Sequence, residues 1–102
     1  MAHRLERARL EHGATELFAL LRQHEGLAHL DVEVRGDAVI VFSMEDGAKL
    51  RRARFTWLGA GHYGLSLPRH TGRWEPTPFT GPLPEVVDVL VSQLGFHLAR
   101  YD

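Results

Sequence analysis

The chain has 102 residues, 44% of them apolar and 25% charged, proportions that exclude a disordered chain and, at this length, suit one core and one domain over residues 1–102. No apolar run approaches the roughly 20 residues that cross a bilayer, and the absence of cysteine removes disulfides, thiolate nucleophiles and cysteine-bound zinc. The net charge of −1 hides a segregation: residues 1–48 hold five arginines against nine acids, whereas residues 49–74 hold Lys49, Arg51, Arg52, Arg54, Arg69 and Arg73 and no acid.

The N-terminus, with Arg4, Glu6, Arg7, Arg9 and Glu11, lacks the apolar centre of a signal peptide and reads as that of a cytoplasmic protein with no membrane partner. Residues 2–25 read as a helix, because Leu10, Ala14, Leu17 and Leu21 recur at helical spacing, with Ala8, Phe18 and Leu20 widening the stripe. Gly13 is a weak point, costing up to about 1 kcal/mol relative to alanine. Gly26 is the expected stop.

Leu30, Val32 and Val34 alternate with Asp31, Glu33 and Arg35, the pattern of a strand with one face buried. Gly36-Asp37 opens a turn. The following run, Ala38-Val39-Ile40-Val41-Phe42, does not alternate. A two-residue turn sends Val39 and Val41 inward and leaves Ile40 and Phe42 outside, and a three-residue turn does the reverse. A strand that is apolar on both sides is normally covered on both, which predicts a homodimer closing over Ile40, Val41 and Phe42. Glu45-Asp46-Gly47 turns back.

The stretch Lys49–Phe79 organises the rest. Ala53-Arg54-Phe55-Thr56-Trp57 and Tyr63-Gly64-Leu65-Ser66-Leu67 both alternate. A three-residue loop at Gly59-Ala60-Gly61 sets Leu58 against His62, Trp57 against Tyr63, Phe55 against Leu65 and Ala53 against Leu67, which gathers the bulky residues on one face. A four-residue loop over Arg69, His70, Thr71 and Gly72 likewise sets Leu67 against Trp74. The outer face then reads Arg52, Arg54 and Thr56, then His62, Gly64 and Ser66, then Arg73, Glu75 and Thr77. Pro76 and Pro78 place the last strand at an edge. Thr80 to Pro84 leads into a final helix with Val86, Val87, Leu90, Val91, Leu94, Leu98 and Tyr101 as its apolar stripe and Arg100 near its negative end.

The expected fold is therefore α+β in two layers: an N-terminal helix, an antiparallel meander of about five strands and a C-terminal helix, both helices on one face of the sheet. No catalytic constellation emerges. The seven histidines include no close helical pair and no His-Glu-x-x-His run, so no metal and no cofactor is expected. Ser66 and His62 share a strand face but stand roughly 13 Å apart along it. Gly59-Ala60-Gly61 precedes a strand, where a phosphate-binding loop would precede a helix.

These features predict a small non-enzymatic binding protein that works through self-association or an unknown protein partner. The alternative is an anion-binding sheet, with Arg52, Arg54, His62 and Arg73 as the binding face and single-stranded nucleic acid as the natural ligand; the arginine excess suits phosphate or carboxylate, but it runs through the whole chain, as a compositional bias alone would make it. Against it, Phe55, Trp57, Tyr63 and Trp74 alternate to the opposite face, and an Arg54–Glu75 ion pair across Ser66 would occupy one arginine. A third reading is a ligand-binding or enzymatic pocket between sheet and helices.

Overall fold

The computed structural model describes residues 2–95, with side chains described from Leu5 onward. Helix α1 spans Ala2–Arg22, and its Leu10, Leu17 and Leu21 are buried at the expected spacing. It ends at Arg22 because the next two amides, of Gln23 and His24, turn to the carbonyls three residues back, each at 3.2 Å, the tightening that exhausts a helix. Gly26, at φ +83°, then redirects the chain.

Five antiparallel strands follow in sequential order: β1 (Leu30–Arg35), β2 (Ala38–Glu45), β3 (Ala48–Gly59), β4 (His62–Pro68) and β5 (Trp74–Pro82). Helix α2, Leu83–Gln93, closes the described part with prolines at its start, where a missing amide costs nothing. Leu98, Arg100 and Tyr101, expected to continue its stripe, lie outside the described residues. One buried cluster joins Leu10, Leu17 and Leu21 of α1, Leu83, Val86, Val87 and Leu90 of α2, and Val39, Val41, Phe55, Tyr63 and Leu65 of the sheet. The fold is the expected α+β architecture.

The first turn resolves the ambiguity of β2. Arg35 pairs with Ala38, so the turn is the two-residue Gly36-Asp37, and Val39 and Val41 enter the core while Ile40 faces away from it. The turn between β2 and β3 is Asp46-Gly47, both at positive φ, the conformation that matches strand twist. The turn between β3 and β4 is one residue shorter than expected. Trp57–Tyr63 and Phe55–Leu65 pair as anticipated, but Gly59 pairs with His62, so Leu58 is the extra residue of a bulge and is left 56% exposed.

Two irregularities change which residues share a face. Val41 pairs with Ala53 but Phe42 pairs with Arg51, so Arg52 is an extra residue in β3. A bulge of this kind re-aims a side chain, and Arg52 is only 1% exposed. In the last hairpin Pro68 pairs with Trp74 and Leu67 with Glu75, so the loop has five residues instead of four. This one-residue slip moves Trp74 from the core face to the face of Arg54 and Ser66.

The prolines of β5 also leave a gap in the ladder. Between Gly64–Thr80 and Ser66–Pro76 the strand carries extra residues, and Thr77 fills the hydrogen-bonding deficit. Its hydroxyl donates to the Leu65 carbonyl at 2.8 Å and accepts from the Phe79 amide at 3.2 Å. At the other edge, the Val32 amide donates to the neighbouring Asp31 carboxylate at 2.8 Å.

Candidate functional site

Of the four residues expected to form a basic outer face, Arg52 is elsewhere. Its Nε donates to Ser43 Oγ at 3.1 Å, its guanidinium pairs with the Glu45 carboxylate, and Ser43 Oγ donates to the same carboxylate at 2.8 Å. Ser43 and Glu45 continue the inward parity of Val39 and Val41, so this ion pair closes one end of the buried layer and is not offered to solvent. Arg54 does lie on the outer face, opposite Ile40 and Ser66. His62 is exposed at the far end of β4, and Arg73 is exposed in the loop before β5, where its carbonyl accepts from the Arg69 amide at 2.8 Å. Arg54, His62 and Arg73 therefore do not converge on one point.

Folding also neutralises most of the basic stretch. Lys49 pairs with Glu33 at 2.9 Å, Arg52 with Glu45, Arg54 with Asp37 at 3.3 Å and Arg69 with Glu75 at 3.5 Å. The acids that the stretch lacks arrive from the strands and turns around it. The expected Arg54–Glu75 pair does not form, because each finds another partner. Among the described residues, Arg51 and Arg73 are the two of the six without a carboxylate.

The residues expected to meet a second copy are also accounted for within the chain. Val41 is fully buried in the core and Ile40 is 4% exposed. Phe42 is half-buried, with the Lys49 ammonium 4.5 Å from its ring centre in a cation–π contact.

A cleft of about 580 Å³ lies on the helix side of the sheet, between α1, the β3–β4 turn and the start of α2. Leu5, Ala8 and Gly13 of α1, Trp57 and Ala60 beside the turn, and Leu83 and Pro84 of α2 make its apolar walls. Arg9, His12, Glu16 and Tyr63 also line it. The guanidinium of Arg9 lies 5.8 Å from the Trp57 ring centre.

Gly13 explains how Tyr63 reaches the cleft. A Cβ at Gly13 would collide with the Tyr63 hydroxyl, so only glycine lets the tyrosine of β4 abut α1 here. That hydroxyl has no hydrogen bond to any described residue, and no described side-chain oxygen or nitrogen is both buried and unpartnered; it therefore opens into the cleft. Burial, and secondarily the negative charge of Glu16, raise the Tyr63 pKa above its ordinary value of 10.0, so at neutral pH the group is a neutral hydrogen-bond donor.

Sequence reading allowed a pocket between sheet and helices but named none of the residues that line this one. The available signal was a glycine inside a helix next to His12, which with Glu16 lies four residues apart on one face. What it could not show was that the opposing tyrosine fills the space left by the missing Cβ. No protein-family model, curated protein or solved structure matches this chain. Among the described residues no helix is long and apolar enough to cross a membrane, and no three His, Asp or Glu side chains gather as metal ligands would.

Proposed function

We propose that this is a binding protein that holds a small, mainly apolar molecule with one polar end in the cleft between α1, the β3–β4 turn and α2. The observation that carries the reading is the cleft itself: its volume of about 580 Å³ falls within the roughly 300–1,000 Å³ of small-molecule sites. Apolar walls supply affinity, and the Tyr63 hydroxyl, the Glu16 carboxylate and the His12 ring supply orientation. Binding is favoured over chemistry because no described serine stands in the cleft beside a base: Ser43 is held between Arg52 and Glu45, Ser92 donates to the Asp88 carbonyl, and Ser66 lies across from Arg54 on the other face of the sheet.

The test is a thermal-shift screen of small aromatic and aliphatic acids, amines and alcohols on the wild-type chain, repeated on Ala8→Trp, which fills the cleft from an exposed position of α1. A ligand at about 100 times its Kd adds about 2.7 kcal/mol, which raises Tm by several degrees in a chain of this size. The expected result is a shift in the wild type that Ala8→Trp abolishes. No shift with any compound at millimolar concentration, or equal shifts in both chains, defeats the reading.

Self-association is the second reading, supported now by Met44 and Leu58, which are 55% and 56% exposed. Sedimentation velocity of the wild type against Met44→Glu and Leu58→Glu decides it. A dimer split by either change supports it, and a monomer at every concentration ends it.

A further inference from the structure

The charge pairing described above leaves one place on the sheet where positive charge is not balanced. On the face away from the helices, Arg35 of β1, Arg51 and Arg54 of β3 and Trp74 of β5 surround Ile40 in a cleft of about 120 Å³. The strand register explains the convergence. Arg35 sits across from Ala38, Arg54 across from Ile40, and Arg51 across from Phe42, so three guanidinium groups come from adjacent rows. Trp74 joins them because the five-residue loop turns it to this face.

Asp37 is the one carboxylate paired there, with Arg54 at 3.3 Å, and it is itself 64% exposed. Arg35 and Arg51 have no carboxylate partner among the described residues. The floor is Ile40, 4% exposed, so the cleft base is apolar. Covering Ile40 requires only the aliphatic stems of these arginines; it does not require that three like charges face one cleft.

We propose that this cleft binds a single oxyanion, a phosphate or carboxylate, carried on a planar ring that lies against Trp74. The forked guanidinium groups match oxyanion geometry in pairs, and the indole offers the ring an aromatic face. The size selects the ligand class. A volume of about 120 Å³ is well below the roughly 300 Å³ at which drug-sized sites begin, so it takes the charged group while the ring rests outside. The neutralised neighbours Lys49–Glu33 and Arg69–Glu75 offer no continuation for a long strand. This site lies on the opposite face of the sheet from the α1 cleft and stands or falls independently of it.

Trp74 is the reporter. With two tryptophans in the chain, Trp57→Phe leaves Trp74 alone, and calorimetry on the unmodified protein covers the case in which that variant folds poorly. Phenyl phosphate, benzoate, inorganic phosphate and a fifteen-nucleotide oligothymidylate are titrated at low salt. The expected result is quenching by phenyl phosphate or benzoate, at least tenfold tighter than inorganic phosphate. Arg51→Gln and Arg35→Gln should each weaken it tenfold or more with unchanged circular dichroism. No binding of either ring-bearing anion at about 10 mM, binding unaffected by both substitutions, or an oligonucleotide that binds far tighter than phenyl phosphate overturns the proposal, the last in favour of an extended strand.

Discussion

Arg52 occupies a position that alternation alone assigns to solvent, and the bulge at that residue turns it into the protein. A buried guanidinium without a counter-ion is costly, which makes Glu45 the more sensitive half of the pair. Glu45→Ala should lower the unfolding free energy by about 3–5 kcal/mol, measured by urea denaturation. Replacing the pair together, as Glu45→Leu with Arg52→Met, should restore most of that loss, because well-packed apolar residues often match a buried ion pair. A cost below about 1 kcal/mol for Glu45→Ala would mean that the guanidinium is satisfied without it. Tyr63 supplies a pH signature. Its folded pKa is raised above 10.0 by burial and by Glu16, so the unfolded chain loses the proton first as pH rises. Its contribution is fully present below about pH 10 and is lost as pH climbs from there through the raised folded value. Tyr63→Phe should flatten this alkaline fall in stability, and an identical fall in both chains would place its origin elsewhere.

At the scale of the element, α1 and β4 meet through Gly13. In an isolated helix Gly13→Ala would gain up to about 1 kcal/mol; here the added methyl meets the Tyr63 hydroxyl and should destabilise by about 1–3 kcal/mol, the usual cost of overpacking. Combining it with Tyr63→Phe, which removes the colliding oxygen, should recover much of the loss. The coupling read from that double-mutant cycle tests the contact, and additive effects would show that the two residues do not touch. The hairpins show what an alternating pattern reveals. Trp57–Tyr63 and Phe55–Leu65 were legible because one register gathers large residues and its neighbour scatters them. Trp74 was misplaced because Leu67–Trp74 and Pro68–Trp74 differ only in loop length, which local composition does not determine. The bulge at Arg52 left a quieter trace: Ser43 and Glu45 carry the inward parity of Val39 and Val41, and polar residues on a buried face call for a polar partner opposite.

Across the whole molecule, the segregated charge of the sequence is largely cancelled in space, because a meander sets the basic third strand beside the acids of its neighbours and their turns. Counting charge along the chain could not anticipate that Glu33, Asp37 and Glu45 would lie across from it. The exposed pairs contribute little stability each; their effect is to leave few of the basic side chains of this stretch without a carboxylate, Arg51 in the cleft at Ile40 among them. The same burial changes how self-association should be probed. Ile40 is covered within its own chain, so Ile40→Glu should lower Tm at every protein concentration. A Tm unchanged at low concentration would instead mean that the isoleucine is covered by another copy.

The two outer strands carry a consequence for behaviour at high concentration. On β1, whose outer side no strand of the sheet covers, the Val32 amide is occupied by the Asp31 carboxylate. At the opposite border Pro76, Pro78 and Pro82 have no amide to give. A foreign chain approaching either border finds few donors with which to continue the ladder, so the native sheet should be a poor template for fibril growth, and crowding should not by itself polymerise it.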